Sequence, residues 1–308
     1  MERQIIVNYH YVENPSPRFS GIFPCSVEDF NRQINFLSQN YRIVSPSEVF
    51  EVAKAGNGEM LAAVTFDDGL KDQYQNVLPI LKKYKVAAAF FPITATLEGH
   101  LPTAQKIHVL LSRLSAAEMC DTFNKFIKEF YPDLESAYQI PKDRRLTDKR
   151  MHEDICNANF KETMIFLPED IKGRFLRYVF KNLGLNEKSI SEELFMSSEE
   201  IADLKKQGMI IGGHSHNHYA MNVVGEETLK KDIELNKEIL SGILKTAPTI
   251  FSYPHGRYSD TALKILKEAG YRYAFTIEKR GVAASDEPLL IPRYDTADLK
   301  TMLSFPRL

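Results

Sequence analysis

Short apolar runs rich in β-branched and aromatic residues recur along the chain. Between them, apolar positions repeat every three to four residues. The runs at 4–9 (QIIVNY), 61–66 (LAAVTF), 86–93 (VAAAFFPI), 209–213 (MIIGG), 249–253 (TIFSY), 273–277 (YAFTI) and 289–293 (LLIPR) predict buried strands. Helical periodicity falls on 26–39, 74–84, 197–208, 225–244 and 259–270. Two of these carry their own boundaries: Ser197 and Ser198 precede Glu199 and Glu200 with Gly208 at the far end, and Ser259 or Asp260 opens a helix that Gly270 ends. Strands alternating with helices predict an α/β fold, a mostly parallel sheet of about seven strands with helices outside it. Periodicity suits an open sheet and a barrel-like closure equally.

From about 98 to 196 the rhythm breaks. Amphipathic helical patterns at 103–114, 116–130 and 172–184 and a charged connector at 141–154 occur there without a strand-like run. A structureless loop of that length is rare in a compact domain, so a helical insertion is expected within one domain spanning 1–308. It leaves two roles open, a cover over a site or an interface for a homo-oligomer.

Composition narrows the classes. The chain has 308 residues and a formal net charge of -2, which gives no basic footprint for nucleic acid. No apolar run reaches the length of a membrane span. The start, MERQIIVNYHYV, lacks a signal peptide's apolar core, and Cys25, Cys120 and Cys156 are odd in number and widely spaced, which suits a reducing compartment. A cytoplasmic location is the expectation from both.

Three clusters of chemistry-bearing residues sit at the carboxyl ends of predicted strands, where barrel folds gather catalytic groups. The densest is GGHSHNHYAM, with His214, His216 and His218 within five residues. His214 and His218 are four apart, which puts both imidazoles on one side of a helical turn, where they can share a metal ion. A solvated histidine-rich loop is the plainer alternative. A second cluster is TFDDG, where Asp67 or Asp68 could complete a three-ligand set. Side chains alternate along a strand, so one carboxylate can bind metal while its neighbour takes a proton. Alone, Asp-Gly is a common turn; Gly69 lets the backbone turn sharply and leaves room for substrate. The third is FSYPHGRYSD, where Pro254 and Gly256 frame His255 in a tight loop and Arg257 follows.

TFDDG, HSHNH and FSYPHG, in this order, resemble the polysaccharide deacetylases of the NodB-homology type (carbohydrate esterase family four), as do VNYHYV and LPILKKYKVAAAFFPI. The resemblance covers about 1–97 and 197–295. It implies a distorted (β/α) barrel and the metal-dependent hydrolysis of an N-acyl group, acetyl or formyl, from an amino sugar in a polysaccharide or glycoconjugate precursor. Carried over by motif, Asp67 is the general base, and Asp68, His214 and His218 hold one divalent ion, zinc first, then cobalt, nickel or iron. A backbone N–H in the third motif, at His255, stabilises the oxyanion. His10, Tyr253 and Pro254 are the expected substrate contacts.

Two departures from the family pattern stand out. Ser252 occupies the place where many members carry an arginine that orients the base, and Arg293, from the last predicted strand, is the candidate substitute. The family's late L-x-H histidine has no counterpart after His255, which leaves His10, His216, His255 or Asp67 itself to protonate the leaving amine. That gap motivates a second reading, a catalytically lapsed fold that binds a sugar or a partner protein. A phosphatase of the haloacid-dehalogenase type is disfavoured, because it needs D-x-D spacing and leaves the histidines unused.

Overall fold

The computed structural model describes residues 2–56, 58–148, 151, 153–296 and 298–299. Its strands are β1 (Gln4–Tyr9), β2 (Arg42–Ile43), β3 (Leu61–Asp68), β4 (Ala89–Pro92), β5 (Ile210–Ile211), β6 (Ile250–Ser252), β7 (Tyr273–Phe275) and β8 (Tyr294–Asp295). The first helices are α1 (Val27–Asn40), α2 (Pro46–Lys54), α3 (Leu78–Tyr84), α4 (Thr103–Leu111), α5 (Ala116–Phe130) and α6 (Glu135–Tyr138). They are followed by α7 (Ile155–Phe166), α8 (Glu169–Asn182), α9 (Glu187–Leu194), α10 (Ser198–Lys206), α11 (Glu226–Leu244) and α12 (Asp260–Glu268). The chain divides into a strand-bearing unit (Met1–Asn14, Pro24–His100, Ser189–Leu308) and a helical unit (Pro15–Phe23, Leu101–Lys188).

Every strand pairing within the two sheets is parallel. One edge of β3 carries β1; the other carries β2 at Leu61–Ala62 and β4 at Thr65–Asp68. β5 follows β4, and β8 lies on the far side of β1. The separate β6–β7 pair is joined to this sheet at both ends. Gly213, just past β5, bridges Phe251, and Ile291, just before β8, bridges Phe275. Pairing therefore runs from β1 through β3, β4, β5, β6, β7 and the 291–295 segment back to β1, the ring of a distorted barrel.

Period-two alternation sorts the strand residues. Ile5, Val7, Tyr9, Ala62, Val64, Phe66 and Phe90 join one cluster with α1, α3 and α10. There Phe66 stacks between Tyr9 (5.4 Å) and Phe90 (4.8 Å), with Phe30 of α1 edge-on at 5.7 Å. The alternate residues Ile6, Leu61, Ala63, Ala89, Phe91, Phe275 and Ile291 form a second cluster. Continuing that register toward the carboxyl ends gives Asn8, Thr65 and Asp67, so an apolar layer is capped by a polar one.

The predicted strands are present, with three differences. β2, with two residues, is too short for the apolar-run criterion, and α2 is an unpredicted helix that Ser45 and Pro46 open as an N-cap and first-turn proline. The run 289–293 is interrupted because Pro292 lacks an N–H, so only Ile291 pairs with β7 and β8 begins at Tyr294. The helix expected over 74–84 starts as a π turn at Gln73–Val77, where the Leu78 N–H reaches Gln73 O just ahead of Pro79.

The helical unit is built around Phe123 and Phe126 of α5, Phe160 of α7 and Phe175 of α8, with Phe123 meeting Phe175 edge-on at 5.0 Å. Buried Asn159 shapes the charged connector: its amide donates to Pro141 O and Arg144 O, and its oxygen accepts from Leu146 N, each at 2.8 Å. Residues 149, 150 and 152 of that connector lie outside the described residues. Compared with the 98–196 boundaries expected from periodicity, Ser189–Met196 groups with the strands and Pro15–Phe23 with the helices.

Phe66→Ala removes the ring at the centre of the stack and is expected to lower unfolding free energy by about 3–5 kcal/mol, measured by urea denaturation.

Candidate active site

β3 is buried along its whole length, so a carboxylate at its end needs a partner inside the protein. For Asp67 that partner is Arg293. Nη1 donates to Oδ1 at 3.0 Å and Nη2 to Oδ2 at 2.8 Å, a bidentate pair. Arg293 is 1% exposed and is held in turn by Thr276 O (3.0 Å), Asn8 Oδ1 (2.9 Å), Thr65 Oγ1 (3.2 Å) and Ser252 Oγ (2.8 Å). Asn8 also donates to Asp67 Oδ2 at 2.9 Å. Burial pushes the Asp67 carboxyl upward, but the Arg293 charge, with His214 and His10, outweighs it and holds the group down at about 2.

Asp68 departs from the strand with φ +73°, and Gly69 follows at +76°. A Cβ at Gly69 would lie 2.6 Å from Pro92 Cβ, so the turn needs both the missing side chain and the left-handed backbone. This turn takes Asp68 off the Asp67 side and toward the histidines. His214 Nε2 and His218 Nε2 each lie 3.4 Å from Asp68 Oδ1, and 3.2 Å from one another.

This triangle fits a metal ion. Ligands about 2.0–2.1 Å from a tetrahedral zinc ion stand about 3.3–3.4 Å apart. His214 Nδ1 lies 2.8 Å from Ser252 O, and as the donor there it leaves the Nε2 lone pair to face the triangle. Burial, with His255 adding to it, pushes the His218 pKa well down, which keeps that ring neutral, as a ligand must be. Burial opposes the charged form of His214 too, but Asp67 and Asp68 reverse the direction and raise it. The same anionic field that draws a proton to His214 would draw a cation. Asp68, His214 and His218 are the one group of this kind found among the described residues.

The remaining expected residues are dispersed around this pair of sites. His255 is half-buried, adopts φ +57°, and its ring centre is 4.4 Å from that of His218. His10 is half-buried and acts electrostatically on both aspartates. Its carbonyl accepts from Gln73 Nε2 at 3.1 Å, and the same Gln73 amide donates to Asp67 O at 2.6 Å. Tyr253 and Pro254 are buried; the Tyr253 hydroxyl donates to Leu289 O at 2.9 Å. His216 is turned to Thr94 Oγ1 (Nδ1 at 3.0 Å), and Arg257 is half-exposed on the loop beyond His255. Periodicity and motif did not single out Asn8, Thr65 or Gln73. The available signal was positional: Asn8 and Thr65 are polar residues set between apolar neighbours in buried stretches of β1 and β3.

The family pattern described as polysaccharide deacetylase matches residues 54–161 and 172–274. The poly-beta-1,6-N-acetyl-D-glucosamine N-deacetylase of Staphylococcus aureus is 23% identical over 293 residues, 94% of this chain and 73% of that one. YxkH of Bacillus subtilis is 27% identical over 100 residues, a match that spans 32% of this chain and 36% of that protein. Among solved structures, the deacetylase PplD of Streptococcus pyogenes superposes with a TM-score of 0.62 at 17% identity, covering 99% of this chain and 98% of that one. IcaB from Ammonifex degensii gives 0.60 at 18% identity, covering 97% and 95%. These structures share the fold, and the motif-bearing strand ends lie within the family match or beside it. The chain belongs to the polysaccharide deacetylase family.

Proposed function

We propose that this protein hydrolyses the N-acetyl group of an amino sugar within a polysaccharide, with a divalent cation, zinc first, held by Asp68, His214 and His218. The observation that carries the reading is the division of labour at the end of β3: Asp67 is clamped by Arg293 while Asp68 faces two imidazoles. The Staphylococcus aureus relative, similar over 94% of this chain, is named for poly-beta-1,6-N-acetyl-D-glucosamine, which makes that polymer the first substrate to test.

A divalent cation held by Asp68, His214 and His218 would supply Lewis acidity toward the acyl carbonyl and toward water. Asp67 receives the proton of the attacking water. Arg293 and Asn8 fix the plane of its carboxylate and keep it ionised at working pH. Held down by Arg293, Asp67 is a carboxylate throughout the working range and is able to accept a proton. The backbone N–H of His255, in the loop beside His218, donates to the oxyanion as the carbonyl becomes tetrahedral. Asp67 then returns its proton to the amine nitrogen as the C–N bond breaks, which releases the amino sugar and the acetate.

Metal content after tag removal and zinc reconstitution is expected at about one ion per chain, lost in His214→Ala. Asp67→Asn is expected to keep the ion while deacetylation of N-acetylglucosamine oligomers falls by about 10²–10⁴-fold. A wild-type chain that takes up no ion would overturn the hydrolase reading and favour a binding module.

Arg293→Met leaves Asp67 buried without its countercharge and is expected to cost about 3–5 kcal/mol at pH 7 by urea denaturation. Folded Asp67 sits at about 2, below the roughly 3.9 of an unfolded aspartate. The pair's contribution is therefore complete above about pH 4 and is lost as pH falls toward 2. Wild type and variant should converge in stability across that window; a pH-independent gap would place the effect in packing instead.

A further inference from the structure

The two histidines of the triangle are held very differently. His214 is oriented through Nδ1 by Ser252 O, whereas His218 Nδ1 has no protein partner among the described residues. The direction of the His218 ring therefore rests on packing against the His255 ring, 4.4 Å between centres, and on the backbone of the loop that carries it. That loop is strained: Ser215 and His218 both adopt left-handed conformations, φ +61° and +60°.

What holds the loop is a pair of polar side chains on α11. Asp232 and Asn236 are one turn apart, 4% and 0% exposed, and lie among the buried apolar positions Leu229, Ile233 and Leu240. Asp232 Oδ2 accepts from His216 N at 3.1 Å, and Oδ1 accepts from Asn217 N and from Asn217 Nδ2, each at 2.8 Å. Asn236 Nδ2 donates to Ser215 O at 2.7 Å, Thr94 Oγ1 at 3.2 Å and Pro92 O at 3.3 Å. Between them these two residues satisfy consecutive backbone groups at 215, 216 and 217. Close packing reinforces the register: a Cβ at Gly213 would lie 2.8 Å from Asn236 Oδ1 and 2.4 Å from Tyr271 Oη.

We infer that Asp232 and Asn236 are positioning residues for the metal site, setting the affinity for the ion by fixing the backbone from which His218 projects. The inference rests on the metal-site reading above. Neither side chain touches the triangle, and neither was singled out by motif. Their chemistry suits the task, because a carboxylate collects two adjacent N–H groups and a carboxamide N–H₂ collects carbonyls; exchanging the two residue types would set donor against donor and acceptor against acceptor.

The test measures Zn²⁺ affinity by competition with a chromophoric chelator, the visible absorption of the Co²⁺-loaded protein, and the thermal midpoint of the metal-free protein. Asp232→Asn and Asn236→Ser are compared with wild type and with Lys231→Ala, an exposed change on the same helix. Each clamp variant is expected to bind Zn²⁺ about 10- to 100-fold more weakly with an altered Co²⁺ spectrum, while Lys231→Ala matches wild type. Affinities within about twofold of wild type and an unchanged spectrum would overturn the inference, even with a lowered thermal midpoint. If Asp232→Asn fails to fold, Asn236→Ser decides alone. A wild-type chain that binds neither ion overturns the inference together with the metal reading it rests on.

Discussion

The bidentate pair between Asp67 and Arg293 is the contact on which both the ring of strands and the site depend. Its partners are 226 residues apart in sequence, one at the end of β3 and the other in the segment that returns the pairing to β1. A buried ion pair recovers its desolvation cost only when the remaining donors are also satisfied. Here all five guanidinium N–H groups have acceptors within reach, drawn from β1, β3, Ser252 of β6 and Thr276 just past β7. Beneath the guanidinium, the rings of Phe91 and Phe275 lie 5.9 Å away and close the apolar layer.

This arrangement also explains how two adjacent carboxylates avoid each other. Asp67 stays in strand register and is neutralised from the barrel interior, whereas Asp68 leaves the strand in a left-handed turn and meets the imidazoles. Both are held below the ordinary carboxylate range despite burial, Asp67 chiefly by Arg293 and Asp68 chiefly by His214 and His218, with His214 and His10 acting on both. Two acids in sequence have become two electrostatic environments in space.

Much of this was legible before any coordinates. The buried parallel strands announce themselves as apolar runs, and the chemistry clusters at their ends. The resemblance to the family named the two aspartates and two of the three histidines. What stayed hidden is of two physical kinds. An element as short as β2 carries too few residues for periodicity to register. Polar partners such as Asn8, Thr65, Asp232 and Asn236 have meaning only once the fold places them opposite one another across long stretches of chain. The loss of the third-motif arginine was visible at Ser252; that its gap is filled from Arg293, with Ser252 Oγ as one of the acceptors, required the three-dimensional arrangement.

The left-handed backbone at Asp68, Ser215, His218 and His255 has a consequence for the molecule's history. Each such residue opposes folding by roughly 1–2 kcal/mol, a cost that glycine would not bear. Random substitution under selection for stability alone would therefore drift toward glycine at these positions. Left-handed lysines also end α3 and α11, at Lys85 and Lys245, so the conformation by itself does not mark a site; at 68 and 218 it is the side chain's place in the triangle that glycine could not supply. A glycine at 68 or 218 would relieve the backbone there and remove a carboxylate or an imidazole from the triangle, so comfort of the chain and chemistry of the site pull in opposite directions at the same residue.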